Sequence, residues 1–362
     1  MMTARPLLLL FSSLLLCPVV GFSQAKTWYK SYTGTISKYP ITLHLLKKSD
    51  HYSGYYYYNS RQEPIGLGGT QDLNTGSIKL SAFVPLKESS ETFTITLAGD
   101  SLSGKWLADE KAQPLAFSAK EMKLPLAFDF IYTEGSVLLK PKIKDSPGAE
   151  FSASSVWPKG NSAQALFIKK IIREIFEEKN SSEDIGKIFL ARKKEYFDEY
   201  LEQTKDEADG ELSPSLNYSE STSTEIIFQN QKLLMLATDF SAYTGGAHGN
   251  YSTNYTPIDL VANKQLKLSD IVNSAGQKAL PKLLEKSFRK VYSIQDNESL
   301  VEGGLFENKI EPSDNFYVTT KGIGFCYSPY EIGPYVLGQI NLYIPFTELS
   351  TYLQPGFRKI IQ

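Results

Sequence analysis

From Tyr29 to about Glu121 the chain is a succession of short runs in which apolar and polar residues alternate, each closed by a turn residue. A period of two over so many short segments restricts this third of the protein to an all-β module, because it leaves no apolar stripe for a helix to bury. The runs are Tyr32 to Ile36, Ile41 to Leu45, Tyr55 to Tyr58, Ile78 to Leu80, Thr92 to Leu97 and Gly104 to Trp106. Between them lie Ser53-Gly54, Asn74-Thr75-Gly76 and Ala98-Gly99-Asp100, where glycine or asparagine accepts the positive φ that tight hairpins demand. The spacing predicts a meandering antiparallel sheet of about seven or eight strands that closes into a barrel-like unit. Alternation puts Tyr55 and Tyr57 on one face and Tyr56 and Tyr58 on the other, and Trp106 is expected in the core.

The pattern changes after Lys123, where Leu124-Pro125-Leu126-Ala127-Phe128 opens a second unit. A helix capped near Asn161 carries Ile168, Ile171, Ile172, Ile175 and Phe176 on one face. Another, from about Glu183 to Gln203, points Ile185, Ile188, Phe189, Tyr196, Tyr200 and Leu201 inward. Ser223 to Phe228 and Leu233 to Phe240 read as a hairpin, followed by a strand from Tyr251 to Leu260 and a helix from Ala279 to Tyr292. Strands follow at Phe316 to Thr319, Ile323 to Tyr327 and Gln339 to Ile344. The fold class is therefore α+β: an N-terminal antiparallel β barrel-like module over residues 26–123, then an α+β domain over 124–362 with helices packed on an antiparallel sheet.

Residues 1–25 have the form of a cleaved signal peptide, with Arg5 before the apolar stretch Leu7 to Leu16 and small residues at Ser23-Gln24-Ala25. That stretch is too short to span a bilayer, so the protein is expected to be exported rather than transmembrane, in the periplasm or on the outer surface. Cys17 invites a lipoprotein reading, but bulky Leu16 and Pro18 fit it poorly. Without Cys17, Cys326 is left alone and is expected as a buried free thiol. With 38 Lys and Arg against 40 Asp and Glu, the charge is too near neutral to favour a nucleic-acid partner.

Two stretches carry a family resemblance. Phe240 to His248, containing Tyr243-Thr244-Gly245-Gly246-Ala247-His248, is followed at a set interval by Asp259-Leu260 and Asp270-Ile271. Gly322 to Phe325 leads to Tyr330-Glu331-Ile332-Gly333-Pro334-Tyr335, then Gly338 and Ile344-Pro345-Phe346. Together they resemble the extracellular domain of the lysozyme-receptor anti-sigma factor RsiV, a domain also found beside peptidoglycan deacetylases. The resemblance covers roughly Phe151 to Leu353 and implies a binding face for a lysozyme-like protein or peptidoglycan. It does not imply anti-sigma activity, since a signal segment and a β module stand where that family has a sigma-binding segment and a membrane helix. A deacetylase zinc site needs an Asp and two His in fixed motifs, and the histidines here are His44, His51 and His248.

The ligand-binding candidates are accordingly Tyr243, Thr244, Gly245, Gly246, His248, Tyr330 and Tyr335, with no catalytic residue, metal or cofactor assigned. Gly245 and Gly246 would supply positive φ, and rigid tyrosines are favoured at the centres of binding surfaces. The expected function is that of an exported, non-catalytic binding protein of the cell envelope. The alternative is an envelope hydrolase acting on glycans or peptides, whose mark would be a placed carboxylate pair such as Glu331 with Asp259.

Overall fold

The computed structural model describes residues 27–83, 90–176, 183–206 and 213–362, so the expected signal segment and Cys17 lie outside the described residues. Eight antiparallel strands form a closed barrel. They are β1 (Thr27–Ile36), β2 (Tyr39–Lys48), β3 (His51–Tyr58), β4 (Ile65–Gln71), β5 (Ile78–Phe83), β6 (Glu91–Ala98), β7 (Ser101–Leu107) and β8 (Leu115–Glu121). Each pairs with its neighbour, and β8 returns to β1 between Tyr32↔Glu121 and Ile36↔Phe117. The interior is filled: Phe93, 1% exposed, meets Tyr56 and Phe117 edge-on with ring centres 5.2 and 5.3 Å away. Trp106 sits in this core as its alternation predicts. Gly54 lies at φ 144° where a Cβ would come within 2.0 Å of the His44 carbonyl oxygen, so only glycine permits the close approach of β3 to β2.

The second unit is built on a six-stranded sheet in the order β14-β13-β12-β11-β10-β9. Its strands are β9 (Phe128–Leu138), β10 (Gly148–Pro158), β11 (Tyr218–Gln229), β12 (Leu233–Tyr243), β13 (Asn250–Asp259) and β14 (Lys264–Gln265). The expectation of a purely antiparallel sheet is corrected at one place, where β10 and β11 run parallel. Helices α1 (Ala163–Ile175) and α2 (Ile185–Gln203) come between those two strands in sequence, and a crossover of that length is what a parallel pair requires. Ile168, Ile171, Ile172, Ile185, Ile188 and Phe189 bury against Phe151, Ala153, Ile226 and Leu236 of the sheet. The N-cap of α1 is Ser162, one residue beyond the expected Asn161, and its hydroxyl accepts from the Ala165 N–H at 3.1 Å. A Ser162→Ala substitution is expected to lower stability by about 1 kcal/mol, read from the urea midpoint.

After α3 (Leu268–Ile271) and α4 (Ser274–Tyr292) comes a three-stranded antiparallel sheet of β15 (Phe316–Val318), β16 (Gly322–Tyr327) and β17 (Ile340–Pro345). Helices α5 (Phe346–Leu349) and α6 (Pro355–Ile361) close the chain. Leu280, Leu284 and Phe288 of α4 share one core with Phe325 and Leu342 of this sheet and with Met235 and Ala237 of β12. Cys326 is a buried free thiol, pushed up to about 12 by burial, with the Gln339 amide donating to its sulfur at 3.2 Å.

The barrel docks on the sheet through the outward residues of β1 to β3. Tyr57 leaves the barrel to join the C-terminal core, its ring centre 5.7 Å from that of Phe228. Leu46 packs into the helix-side core that holds Phe128 and Phe130. Ser53 donates to Glu225 at 2.7 Å, and Tyr55 donates to Asp239 at 3.4 Å. His44 is sealed in this contact, and burial lowers its pKa to about 3, so the ring is neutral. Its Nδ1 lies 2.8 Å from the Tyr29 hydroxyl and 3.0 Å from that of Ser31. With Ser31 3% exposed, this serine–histidine contact is part of the docking surface and is closed to substrate.

Candidate functional site

The Gly-Gly segment is the connection from β12 to β13. Gly245 and Gly246 have φ of 87° and 99°, the left-handed region that the sequence expectation assigns them. A side chain on Gly245 would also meet the Ser215 carbonyl oxygen at 2.8 Å. The Tyr243 hydroxyl closes the loop by donating to the Gly246 carbonyl at 3.0 Å. Thr244 and His248 stand exposed on it.

The second loop joins β16 to β17. Tyr330 takes φ of 70°, its N–H donates to the Gly333 carbonyl at 3.0 Å, and the Ser328 N–H donates to the Glu331 carboxylate at 2.8 Å. A single 3-10 turn, Tyr335–Leu337, follows. Although more than 80 positions separate them in sequence, the two loops meet. The Tyr335 hydroxyl donates to the Gly249 carbonyl at 2.8 Å, and its ring stacks on His248 with centres 3.9 Å apart and planes 21° from parallel. The Tyr330 hydroxyl lies 3.4 Å from His248 Nε2, and its ring is 5.7 Å from that of Tyr335. Tyr251 of β13 completes the group, edge-on to Tyr335 at 5.7 Å. Tyr330, 55% exposed, is its outermost ring.

The surroundings of the cluster are apolar and acidic. The Phe306 N–H donates to the Ile332 carbonyl at 3.0 Å, which ties the segment after α4 to the Tyr330 loop. Phe306 and Val336 expose 54% and 87% of their surface, far more than packing alone requires of large apolar residues. Glu302, Glu307, Glu311 and Glu331 are exposed on the same two segments, and Lys309 is engaged with Glu307 at 3.6 Å. Tyr251, Phe306 and Val336 are absent from the sequence-derived site. Of these only Tyr251 carries a sequence signal, its place in the alternation just after the Gly-Gly loop.

The acid pair expected of the hydrolase alternative is not brought together in the recesses that hold its members. Glu331 lines a recess with Tyr327, Lys309 and Glu311, whereas Asp259 lines a different one with Lys264, Asp270 and Phe357. Asp259 accepts from the Val261 and Ala262 N–H groups at 2.8 and 3.0 Å, the work of a turn cap. Asp239, the other acid near His248 in sequence, bonds Thr253 and Tyr55. His248 itself contacts the Gly249 carbonyl and two tyrosines, an arrangement with no carboxylate to orient it as a base. Among the described residues no group of three or more His, Cys, Asp or Glu is gathered as metal ligands.

Residues 157–251 match the family model described as Deacetylase PdaC, and residues 269–347 match the one described as a protein of unknown function, DUF3298. A DUF3298 family member from Bacteroides fragilis has a similar structure, with 23% identity and a TM-score of 0.60 over 66% of this chain and 98% of that one. A DUF3298 family protein from Pseudomonas aeruginosa is similar at 18% identity and a TM-score of 0.47, over 64% of this chain and 96% of the other. No curated protein matches the chain. The matches support a relationship to the DUF3298 and PdaC families, and neither description names RsiV. The aromatic cluster lies where the two matched segments meet: His248 and Tyr251 come from the end of the first, Tyr330 and Tyr335 from the second.

Proposed function

We propose that the protein is an exported, non-catalytic binding protein of the cell envelope whose C-terminal unit holds a basic, lysozyme-like protein. The observation that carries this reading is the exposed, preorganised cluster of His248, Tyr330 and Tyr335 beside the bare Phe306 and Val336 and a set of glutamates. Aromatic rings already locked by hydrogen bonds lose little entropy on binding, and an acidic rim selects a cationic partner and speeds its encounter. The RsiV-like signatures support the same partner class. An envelope glycan, the other partner the resemblance implies, is less well matched, because a neutral sugar gains nothing from the acidic rim.

Biolayer interferometry of the chain from Lys26 against a c-type lysozyme tests the proposal. Tyr330→Asn is the informative variant, since asparagine accepts the left-handed backbone at this position better than alanine does. Saturable binding is expected, weakened on the order of tenfold or more in Tyr330→Asn and weakened by salt in the unaltered chain. Absence of lysozyme binding, or binding indifferent to Tyr330, defeats it.

A further inference from the structure

A cleft of about 810 Å³ lies between the barrel and the sheet, on a different part of the molecule from the aromatic cluster. Its volume falls within the roughly 300–1,000 Å³ of small-molecule sites. The barrel contributes Lys48, His51 and Ser53, and strands β9, β10 and β11 contribute the opposite wall. Register aligns Glu134, Ser152 and Ser221 in one row across those strands, and Tyr132, Ser154 and Ser223 in the next. The Ser152 hydroxyl donates to Ser221 at 2.8 Å, which leaves that pair the Ser221 donor and further acceptor capacity; Ser154 donates to Ser223 at 2.9 Å and Ser223 on to Glu225 at 3.4 Å, so Ser154 offers acceptor capacity alone.

The charges narrow the ligand. Lys48 donates to Glu134 at 2.7 Å, also bonds the Tyr132 hydroxyl, and sits 3.8 Å from the Tyr132 ring centre, so this cation is already neutralised. His51 on the rim pairs with Asp50 at 3.0 Å, and Glu150 and Glu220 add negative charge. An anionic ligand would find no free cation among these lining residues. A peptide cannot add as a strand on the floor, since β10 and β11 are paired on both sides. What the floor does offer is a lattice of neutral hydroxyls with the apolar edges of Phe130 and Leu46 beside it. That combination matches the two-sided character of a sugar ring, hydroxyls at its edge and C–H groups on its faces.

We propose that the cleft between barrel and sheet binds a short, neutral oligosaccharide through the Ser152–Ser221 hydroxyl pair, with Ser154 as a further acceptor. This site needs both units, which gives the barrel a role in recognition, and it is independent of lysozyme binding at Tyr330. The test is isothermal titration calorimetry of the chain from Lys26 with chitotetraose and cellotetraose, and with a sulfated heparin tetrasaccharide as the anionic probe. Saturable binding of at least one neutral probe is expected, with none of the sulfated one. Ser152→Ala/Ser221→Ala removes both partners of one bond and so leaves no orphaned group; it is expected to weaken binding on the order of tenfold. Ser136→Trp, at an exposed position on the rim, is expected to fill the cleft and abolish binding without touching a core. Tyr330→Asn is expected to bind the saccharide as the unaltered chain does. The proposal is overturned if neither neutral probe binds, if the sulfated probe binds in their place, if both cleft variants bind unchanged, or if Tyr330→Asn is the variant that loses binding.

Discussion

Tyr57→Ala is expected to lower the stability of the protein by about 3–5 kcal/mol, the cost of deleting a buried aromatic ring that neighbours cannot collapse to replace. The residue belongs to the barrel by sequence and to the C-terminal core by contact. It is 3% exposed, with its ring centre 5.7 Å from Phe228 and 6.0 Å from His44. The barrel keeps its own core without it, because Phe93, Tyr56 and Phe117 pack on the inside of the same strands. Loss should therefore fall on the docking of the two units, and urea unfolding followed by intrinsic fluorescence should change from one transition toward two. Tyr57→Phe, which keeps the ring, is expected to cost only about 1 kcal/mol. An unchanged midpoint in Tyr57→Ala would mean that the polar contacts of Ser53, Tyr55 and Gln62 hold the barrel without it. The same variant bears on the cleft: a wall that swings away cannot hold a saccharide, so chitotetraose or cellotetraose binding should fall with the docking.

The reason Tyr57 escapes sequence reasoning is instructive about what alternation can and cannot say. Period two correctly separates Tyr56 from Tyr57, and Tyr56 does turn inward, with 0% exposure. Nothing in the period says that the outer face of β1 to β3 is covered by another unit. The turns of the barrel and the apolar stripe from Ile168 to Ile172 were legible because each is a local pattern with a single physical meaning. Strands β9 and β10 were not legible: Ser152, Ser154 and Ser155 interrupt the apolar rhythm, and the hydroxyls of Ser152 and Ser154 pair with Ser221 and Ser223, about seventy positions away. The parallel β10–β11 pair shares that cause. At the candidate site, glycines announced the bent backbone at Gly245 and Gly246, but the stacking of His248 on Tyr335 is a long-range contact that no local rule contains. Phe306 and Val336 carry no local pattern of their own, and only their exposure makes them notable.

A second large effect is expected from pH, and it acts at the same interface. Glu225 is 6% exposed, and burial raises its pKa from 4.5 to about 7; the Ser53 hydroxyl works against the rise and the nearby Asp239 adds to it. Asp239 is raised too, by burial first, with Thr253 and Tyr55 opposing. A carboxyl raised on folding binds its proton more tightly in the folded state. Its contribution is therefore whole below pH 4.5 and disappears as pH climbs through 7. At about 1.4 kcal/mol per tenfold change in proton concentration, Glu225 alone makes the protein about 3 kcal/mol less stable at pH 8 than at pH 4.5, other groups being equal. Asp239 adds to the fall in the same direction. Glu225→Gln keeps an acceptor for Ser53 while removing the charge, and it should abolish most of this dependence. Urea midpoints at pH 5 and pH 8 decide the matter: the unaltered chain should lose stability between them and Glu225→Gln should lose little, gaining its advantage only at the higher pH. Equal slopes in the two proteins would mean that water reaches Glu225 through the seam between barrel and sheet. That result would also weaken the case for a cleft whose far end Ser53 closes, since Ser53 both lines the cleft and holds Glu225.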